Sequence, residues 1–336
     1  MGSRPSVSVV ITTFNQVEFL KAAIESVLGQ TLLPQELIVI DDASTDATPE
    51  VMEDFARQNV CVRYVRLPDN RGMQFTAQYG LKQARGTHVA YLNHDDVWLP
   101  RHLEVLVGAL ERHSGNVMAF GRYRVIDERS RVLVKEVREP LPSSSMLESL
   151  LLKRIIVQAP RAVYRRQAAL DVGGITHWTG DWVLNCLLAA RYPNGIVQVP
   201  ECTIAFRMHS EQSYTRTEEL RAALLEASDY ICDRLSPAQQ MLRPRVKAIC
   251  HLHSAIAFWQ SGKWVQAWRC LCTALATDPL CATTSDFRAA APRTMIPPLA
   301  GCLVRRMKRT IQLWKNGWKQ DRNGALYKHQ QHQFAK

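Results

Sequence analysis

The chain has 336 residues, of which 46% are hydrophobic and 22% are charged, so it suits one large or two smaller packed domains and is neither disordered nor fibrous. Its formal net charge is +11, and +9 of this lies in residues 291–336, where ten basic residues accompany one acidic residue. The nearly neutral remainder argues against a nucleic-acid-binding surface in the body of the chain.

The first half of the chain alternates strands and helices. Residues 6–15 (SVSVVITTFN) are apolar and β-branched, which is typical of a buried parallel strand, and residues 18–30 place their apolar side chains on one helical face. Further strands are predicted at 35–44, 62–68 and 87–93, and further helices at 48–58, 73–84 and 99–113. This alternation predicts an α/β domain with a mainly parallel sheet.

A hairpin is predicted next, with its turn at 127–131, followed by a helix at 145–153 and a short strand near 160–166. From Thr217 onward the pattern is purely helical, and residues 253–279 resemble one tetratricopeptide-type helical hairpin. One such repeat cannot bury its own face, so these helices either pack on the α/β domain or form a partner-binding or dimerising surface. We therefore divide the chain into an α/β domain (1–215), an all-α helical region (216–290) and a basic amphipathic tail (291–336).

The nine cysteines form no CxxC pair, which disfavours a zinc site, and their odd number disfavours a secreted disulfide framework. Residues 1–5 lack the features of a signal peptide, and no apolar run reaches the roughly 18 residues of a membrane span. We therefore expect a cytoplasmic protein.

Polar residues recur where the predicted parallel strands end, which is where such sheets bind ligands. They are Thr12 to Asn15 after the first strand, Asp41, Asp42 and Asp46 after the second, and Asn93 to Asp96 after the fourth. Neither GxGxxG nor a P-loop is present, so no glycine-rich loop is available to bind a pyrophosphate. Acidic residues facing phosphates require a divalent cation between them, and Asp95 and Asp96 are candidates for holding Mg²⁺ or Mn²⁺. Alternatively, Asp96 caps the helix that Pro100 begins.

Four stretches together resemble glycosyltransferase family 2, whose members have the GT-A fold. They are SVSVVITTFNQVEFLKAAIESVLGQT, ELIVIDDASTDAT, DNRGMQFTAQYGLKQARGTHVAYLNHDDVWLP and TGDWVLNCLLAA, and the resemblance covers about residues 6–213. It implies an inverting transferase that binds a nucleotide-sugar donor through a metal at a DXD motif. UDP is the commonest nucleotide in the family, and GDP and dTDP fit the same contacts.

The resemblance also implies roles for individual residues. Thr12, Phe14, Asn15 and Asp42 correspond to the nucleotide site, and the DXD motif falls on Asn93-His94-Asp95, with Asp95 as the metal ligand. Asp181 corresponds to the catalytic base, unless it only caps the following helix. His209 corresponds to a histidine near the diphosphate or metal, although it is equally compatible with a surface or core position.

Three residues depart from the family pattern. Asn93 replaces the first aspartate of the motif and brings no charge, which would weaken the metal site. Gly180 replaces the glutamate that usually precedes the base, and Ala77 occupies a position where an arginine is common. These departures support an alternative function, in which a catalytically silent GT-A domain acts as a binding module or scaffold.

The basic tail places Leu303, Met307, Ile311, Trp314 and Trp318 on one helical face among Lys and Arg residues. Such a stripe suits peripheral contact with an anionic membrane surface, or alternatively a helix packed on its own domain or a solvated tail. The family context favours surface-polysaccharide assembly with a glycan or lipid-linked acceptor, at the inner face of the cytoplasmic membrane.

Overall fold

The computed structural model describes residues 5–138, 145–153, 155–177, 179–209 and 217–294, and the chain separates into two units, Met1–Glu211 and Gln212–Lys336. Our predicted boundary lies a few residues later, at 215. Residues 295–336, which contain nearly all of the predicted basic tail, lie outside the described residues.

The described part of the first unit contains one mixed sheet. Its strands are β1 (Val7–Thr13), β2 (Glu36–Asp41), β3 (Val62–Arg66), β4 (His88–Asn93), β5 (Val97–Trp98), β6 (Met118–Ile126), β7 (Val132–Val137), β8 (Ala162–Arg165) and β9 (Ile196–Arg207). They are ordered β3-β2-β1-β4-β8-β6-β9-β5, and β7 pairs with β6. The predicted hairpin is therefore confirmed, because β6 and β7 are antiparallel.

The helices of this unit are α1 (Val17–Leu28), α2 (Thr48–Gln58), α3 (Met73–Gln83), α4 (His102–Glu111), α5 (Met146–Leu151), α6 (Arg166–Asp171) and α7 (Gly180–Arg191). β1 to β4 form a parallel block, and Val9, Val10 and Ile11 of β1 are fully buried at its centre. Covering helices explain why these strands are apolar throughout rather than alternating.

β8 joins the parallel block to the rest of the sheet. It runs antiparallel to β4, with Val163 opposite Ala90, so the residues just before β8 lie at the carboxyl edge of β4. Beyond β8, β6 pairs in parallel with the long strand β9. This arrangement brings chain from both halves of the unit to one edge of the sheet.

The second unit is helical throughout its described residues. It contains α8 (Thr217–Cys232), α9 (Pro237–Gln240), α10 (Arg243–Gln260), α11 (Trp264–Thr277) and α12 (Ser285–Thr294). α10 and α11 form the predicted hairpin, and α12 continues across the predicted start of the tail at 291. In the described chain, no helix combines the length and apolar character that crossing a membrane requires.

Candidate functional site

Two loops at the carboxyl edge of the sheet are tied together by Asn15, which follows β1. Its backbone N–H donates to Ser44 Oγ at 2.8 Å, and its side-chain oxygen accepts from the Thr45 N–H at 2.9 Å. Asn15 has φ +59°, a left-handed conformation that asparagine tolerates better than most residues. The predicted nucleotide residue Asn15 therefore fixes the shape of the loop after β2.

Asp42 follows β2 and is almost fully buried. Its two carboxylate oxygens accept the backbone N–H groups of Arg71 and Gly72, at 2.7 and 2.8 Å, where α3 begins. Gly72 has φ +83°, a conformation that side-chain-bearing residues rarely adopt. Each carboxylate oxygen can accept a second hydrogen bond, so Asp42 can bind both the helix and a ligand.

Thr12 and Phe14 lie on either side of the end of β1. The Thr12 carbonyl lies 3.2 Å from Nδ1 of His94, and Nε2 of His94 lies 3.2 Å from the side-chain oxygen of Gln16. The Phe14 side chain is 43% exposed, which leaves an aromatic face open to a ligand. His94 is thus part of the wall joining β1 and β4.

Asp95 and His209 form a close pair, although they are 114 residues apart in the chain. Oδ2 of Asp95 lies 3.0 Å from Nε2 of His209, and their side chains are 17% and 4% exposed. Burial opposes ionisation of Asp95, but the hydrogen bond from His209 and the charges of His94 and His209 outweigh it, so the pKa of Asp95 lies below its usual value. The carboxylate is therefore ionised at neutral pH.

Asp96 has a different role from its neighbour. It is almost fully buried, and its oxygens accept from the Asn93 side-chain amide at 3.1 Å and the Arg207 backbone N–H at 3.0 Å. Burial and the adjacent charge of Asp95 raise the pKa of Asp96 well above its usual value. Asp96 is therefore a structural residue that joins β4 to β9, and the alternative of a helix cap is wrong because α4 follows Arg101.

Arg207, at the end of β9, was not predicted from the sequence as a site residue. Its guanidinium is buried, and it donates to the Asp95 carbonyl at 2.9 Å and to the carbonyls of Asp127 and Glu128, both at 3.0 Å. It thereby connects the turn at residues 93–96, called here the Asp95 turn, to the β6–β7 hairpin. The sequence offered one indication of its role, namely its position two residues before His209. The sequence does not show, however, which carbonyl groups the guanidinium of an arginine in a strand will contact.

Asp181 lies in the first turn of α7, and the helix is preceded by Thr179 rather than by Asp181. Its Oδ1 accepts the Trp182 N–H at 2.7 Å. Burial raises the pKa of Asp181, opposed by the N–H groups of Trp182 and Ala159 and by the charge of Lys153. Because Ala159 lies just before β8, Asp181 belongs to the same sheet edge as the Asp95 turn.

The structure explains two departures from the family pattern by packing. A Cβ added to Gly180 would lie 2.5 Å from Cγ2 of Ile175, so a glutamate does not fit there without a shift. Ala77 is buried on α3, where an arginine would lose its contact with solvent. The side-chain amide of Asn93 donates a hydrogen bond to Asp96. The asparagine that stands in place of the usual aspartate therefore stabilises the turn.

The donor atoms fit a divalent cation that is only partly coordinated by protein. Asp95 supplies a carboxylate and His209 an imidazole, and no group of three or more His, Cys, Asp or Glu side chains suited to a metal occurs in the described residues. Mg²⁺ and related ions in nucleotide sites are commonly bound by one or two protein ligands and substrate phosphates. The pair therefore suits a cation whose remaining ligands come from a diphosphate.

Comparisons with known sequences find a family model and several relatives that match part of this chain. The model of the family "Glycosyl transferase family 2" matches residues 8–173. An uncharacterized protein of Mycobacterium tuberculosis is 32% identical over 210 residues, which cover 60% of this chain and 59% of that protein. The uncharacterized glycosyltransferase EpsJ of Bacillus subtilis is 27% identical over 168 residues, or 48% of each chain. The chain thus spans less than two thirds of these relatives.

Comparisons with solved structures concern the fold. TarS of S. aureus, residues 1–349, has a TM-score of 0.61 at 16% identity, covering 86% of this chain and 88% of that one. The mannosyltransferase PcManGT of Pyrobaculum calidifontis has a TM-score of 0.57 at 19% identity, covering 95% and 89%. The predicted fold class, a mainly parallel α/β domain of GT-A type with helices after it, is confirmed.

Proposed function

We propose that this chain, whose residues 8–173 match the model of glycosyltransferase family 2, moves a sugar from a nucleoside-diphosphate donor to a hydroxyl of a glycan or lipid-linked acceptor. The observation that carries this proposal is the ionised Asp95 paired with His209, at the sheet edge that also bears Asp42 and Asp181. The pair supplies a cation site, and Asp181 supplies a base.

The nucleotide binds over the ends of β1 and β2. Phe14 offers an exposed ring for stacking, and Asp42 keeps acceptor positions for donors on the base. Support for the donor class comes from similar folds, since TarS has been solved with UDP-GlcNAc and PcManGT with GDP-Man and Mn²⁺. UDP remains our first choice and GDP the second.

Asp95 and His209 would hold Mn²⁺ or Mg²⁺. A bound cation neutralises charge that develops on the departing diphosphate. Asn93 and His94 would shape the wall beside the diphosphate, because Asn93 is fixed by Asp96 and His94 is fixed by Thr12.

Asp181 acts as the general base and accepts the proton of the attacking hydroxyl. Its raised pKa brings it closer to neutral pH, which favours proton transfer, a contribution of typically ~10²–10⁴ in rate. The acceptor oxygen forms a bond to the anomeric carbon while the bond to the diphosphate oxygen breaks. Attack from the face opposite the leaving group inverts the anomeric centre.

Calorimetric titration of UDP, GDP and dTDP, each with and without Mn²⁺, tests the proposal. We expect one nucleotide to bind at least tenfold more tightly with Mn²⁺. Asp95→Asn should abolish the metal-dependent gain, and Asp181→Asn should bind the nucleotide normally but lose turnover. No binding of any nucleotide by the folded protein would favour the catalytically silent scaffold instead.

We also propose a cytoplasmic location at the inner face of the membrane and a role in surface-polysaccharide assembly. The support is the apolar stripe among basic residues between Leu303 and Trp318, which suits an anionic lipid surface. Sedimentation with anionic vesicles tests this proposal. Binding that persists after deletion of residues 302–336, or no binding at all, would contradict it.

A further inference from the structure

Lys153 has an unusual backbone conformation just after α5. The helix ends at Leu151, and Lys153 follows with φ +50°, while its N–H donates to the Leu150 carbonyl at 3.1 Å. Glycine is the usual residue at such a left-handed helix end, because a side chain is strained there. A lysine at this position therefore suggests that its side chain provides something that glycine would not.

The side chain of Lys153 reaches the beginning of α7. Its Nζ lies 4.4 Å from the centroid of the Trp182 ring, a cation–π distance. The indole is nearly buried and is fixed by Nε1–H donating to the Leu150 carbonyl at 2.8 Å. The backbone N–H of Trp182 donates to the Asp181 carboxylate. Trp182 therefore contacts the Lys153 ammonium through its ring and the Asp181 carboxylate through its backbone.

Two tyrosines on the Asp181 side of the sheet are uncharged at neutral pH. Tyr164 of β8 faces Asp181, and its hydroxyl donates to the side-chain oxygen of Asn185 at 3.1 Å. Tyr91 of β4 packs edge-on against Tyr164, and burial raises the pKa of both tyrosines. Among the groups with the largest effects on the pKa of Asp181, Lys153 is the charged side chain, and it lowers that pKa.

We propose that Lys153 is a positioning residue for the general base, whose ammonium, held on the Trp182 indole, keeps the Asp181 carboxylate in its proton-accepting form. The left-handed backbone of Lys153 is a strain that this position accepts while it places the ammonium on the Trp182 ring. The inference rests on the proposed role of Asp181 and adds the group that keeps this buried carboxylate charged.

The test is a carbon-13 NMR titration of the Asp181 carboxyl in full-length protein labelled at aspartate. The signal is assigned from its absence in Asp181→Asn. In Lys153→Gly and Lys153→Asn we expect the titration midpoint to rise by about one pH unit, because a favourable charge is removed. Both residues suit the left-handed conformation, so the loss in stability should not exceed the roughly 1.4 kcal/mol that a one-unit rise implies, and the thermal midpoint should fall by no more than about 5 °C.

Lys153→Arg provides the matched control, because it keeps a cation that stacks on tryptophan. Its midpoint should remain at the wild-type value. An unchanged midpoint in the glycine and asparagine variants would overturn the proposal, as would an equal rise in the arginine variant. Turnover by Asp181→Asn would instead overturn the proposed base, whatever the titration shows, so the two failures are distinguishable.

Discussion

Replacing His102 with phenylalanine would test how a buried histidine couples the stability of the first unit to pH. His102 is fully buried at the start of α4, and its ring stacks on Trp98 with centroids 4.2 Å apart. Its Nδ1 donates to the Thr203 carbonyl at 3.2 Å. Burial lowers its pKa from 6.5 to about 3, although the hydrogen bond to Thr203 opposes this effect.

The sign of the pH dependence follows from the lowered pKa. The unfolded chain binds a proton near pH 6.5, whereas the folded protein resists protonation until about pH 3. The contribution to the free energy of unfolding is therefore complete above pH 6.5 and is lost as the pH falls. Each pH unit below 6.5 removes about 1.4 kcal/mol, or about 2 kcal/mol at pH 5. This is a large part of a typical total of about 5–15 kcal/mol.

Phenylalanine at position 102 keeps an aromatic ring stacked on Trp98 and removes the titratable imidazole. It also leaves the Thr203 carbonyl without this donor, which we expect to cost about 1 kcal/mol at pH 7.5. The variant should therefore be less stable than wild type at neutral pH and more stable at pH 5, with the two curves crossing near pH 6.

Urea unfolding followed by far-ultraviolet circular dichroism, at pH 7.5, 6.5, 5.5 and 5.0, measures the difference between the two proteins. His113→Gln is the matched control, since His113 is exposed at the other end of α4 and its replacement should leave the wild-type profile unchanged. A parallel decline of wild type and His102→Phe would refute the reasoning. The experiment also shows which part of any acid inactivation comes from unfolding rather than from protonation of Asp181.

Three further predictions concern the site. Asp95→Asn should abolish the Mn²⁺-dependent gain in nucleotide affinity, a loss of about tenfold or more, and calorimetry showing an undiminished gain would contradict this. Arg207→Ala should cost about 3–4 kcal/mol, because it leaves buried carbonyls without donors, and Arg207→Lys should cost less; equal urea midpoints for all three proteins would contradict it. Gly180→Glu should cost about 2 kcal/mol rather than raise activity, and Ile175→Ala in the same chain should recover part of that cost, measured by urea unfolding as a double-mutant cycle.

The strands and helices of the parallel block were predictable because each has a strong local pattern. Residues 6–15, for example, form an apolar β-branched run, and the structure places β1 at Val7–Thr13. The two-residue strand β5 and the long strand β9 were not predicted. β5 is too short to show an alternation of apolar and polar residues. β9 includes Pro200 and several partly exposed positions, so its pairing with other strands, rather than local sequence preference, determines its structure.

The site was predictable in its residue types and less so in its contacts. Position after β4 and the family pattern were enough to single out Asp95 and His209, and the structure brings these two together. The adjacent Asp96 looks equivalent in sequence but is buried against β9, which only long-range pairing reveals. Lys153 carries no motif at all, because its significance lies in a backbone angle and a ring 29 positions away.

The pairing of β9 with β6 has a consequence for how the first unit can be divided. The family model ends at residue 173, but β9 begins at Ile196 and covers one side of β6 from Met118 to Ile126. A fragment ending at 173 would leave that side of β6 with unsatisfied backbone groups, which invite pairing with another molecule. Such a fragment should therefore aggregate, so the segment that defines the family is shorter than the segment that folds.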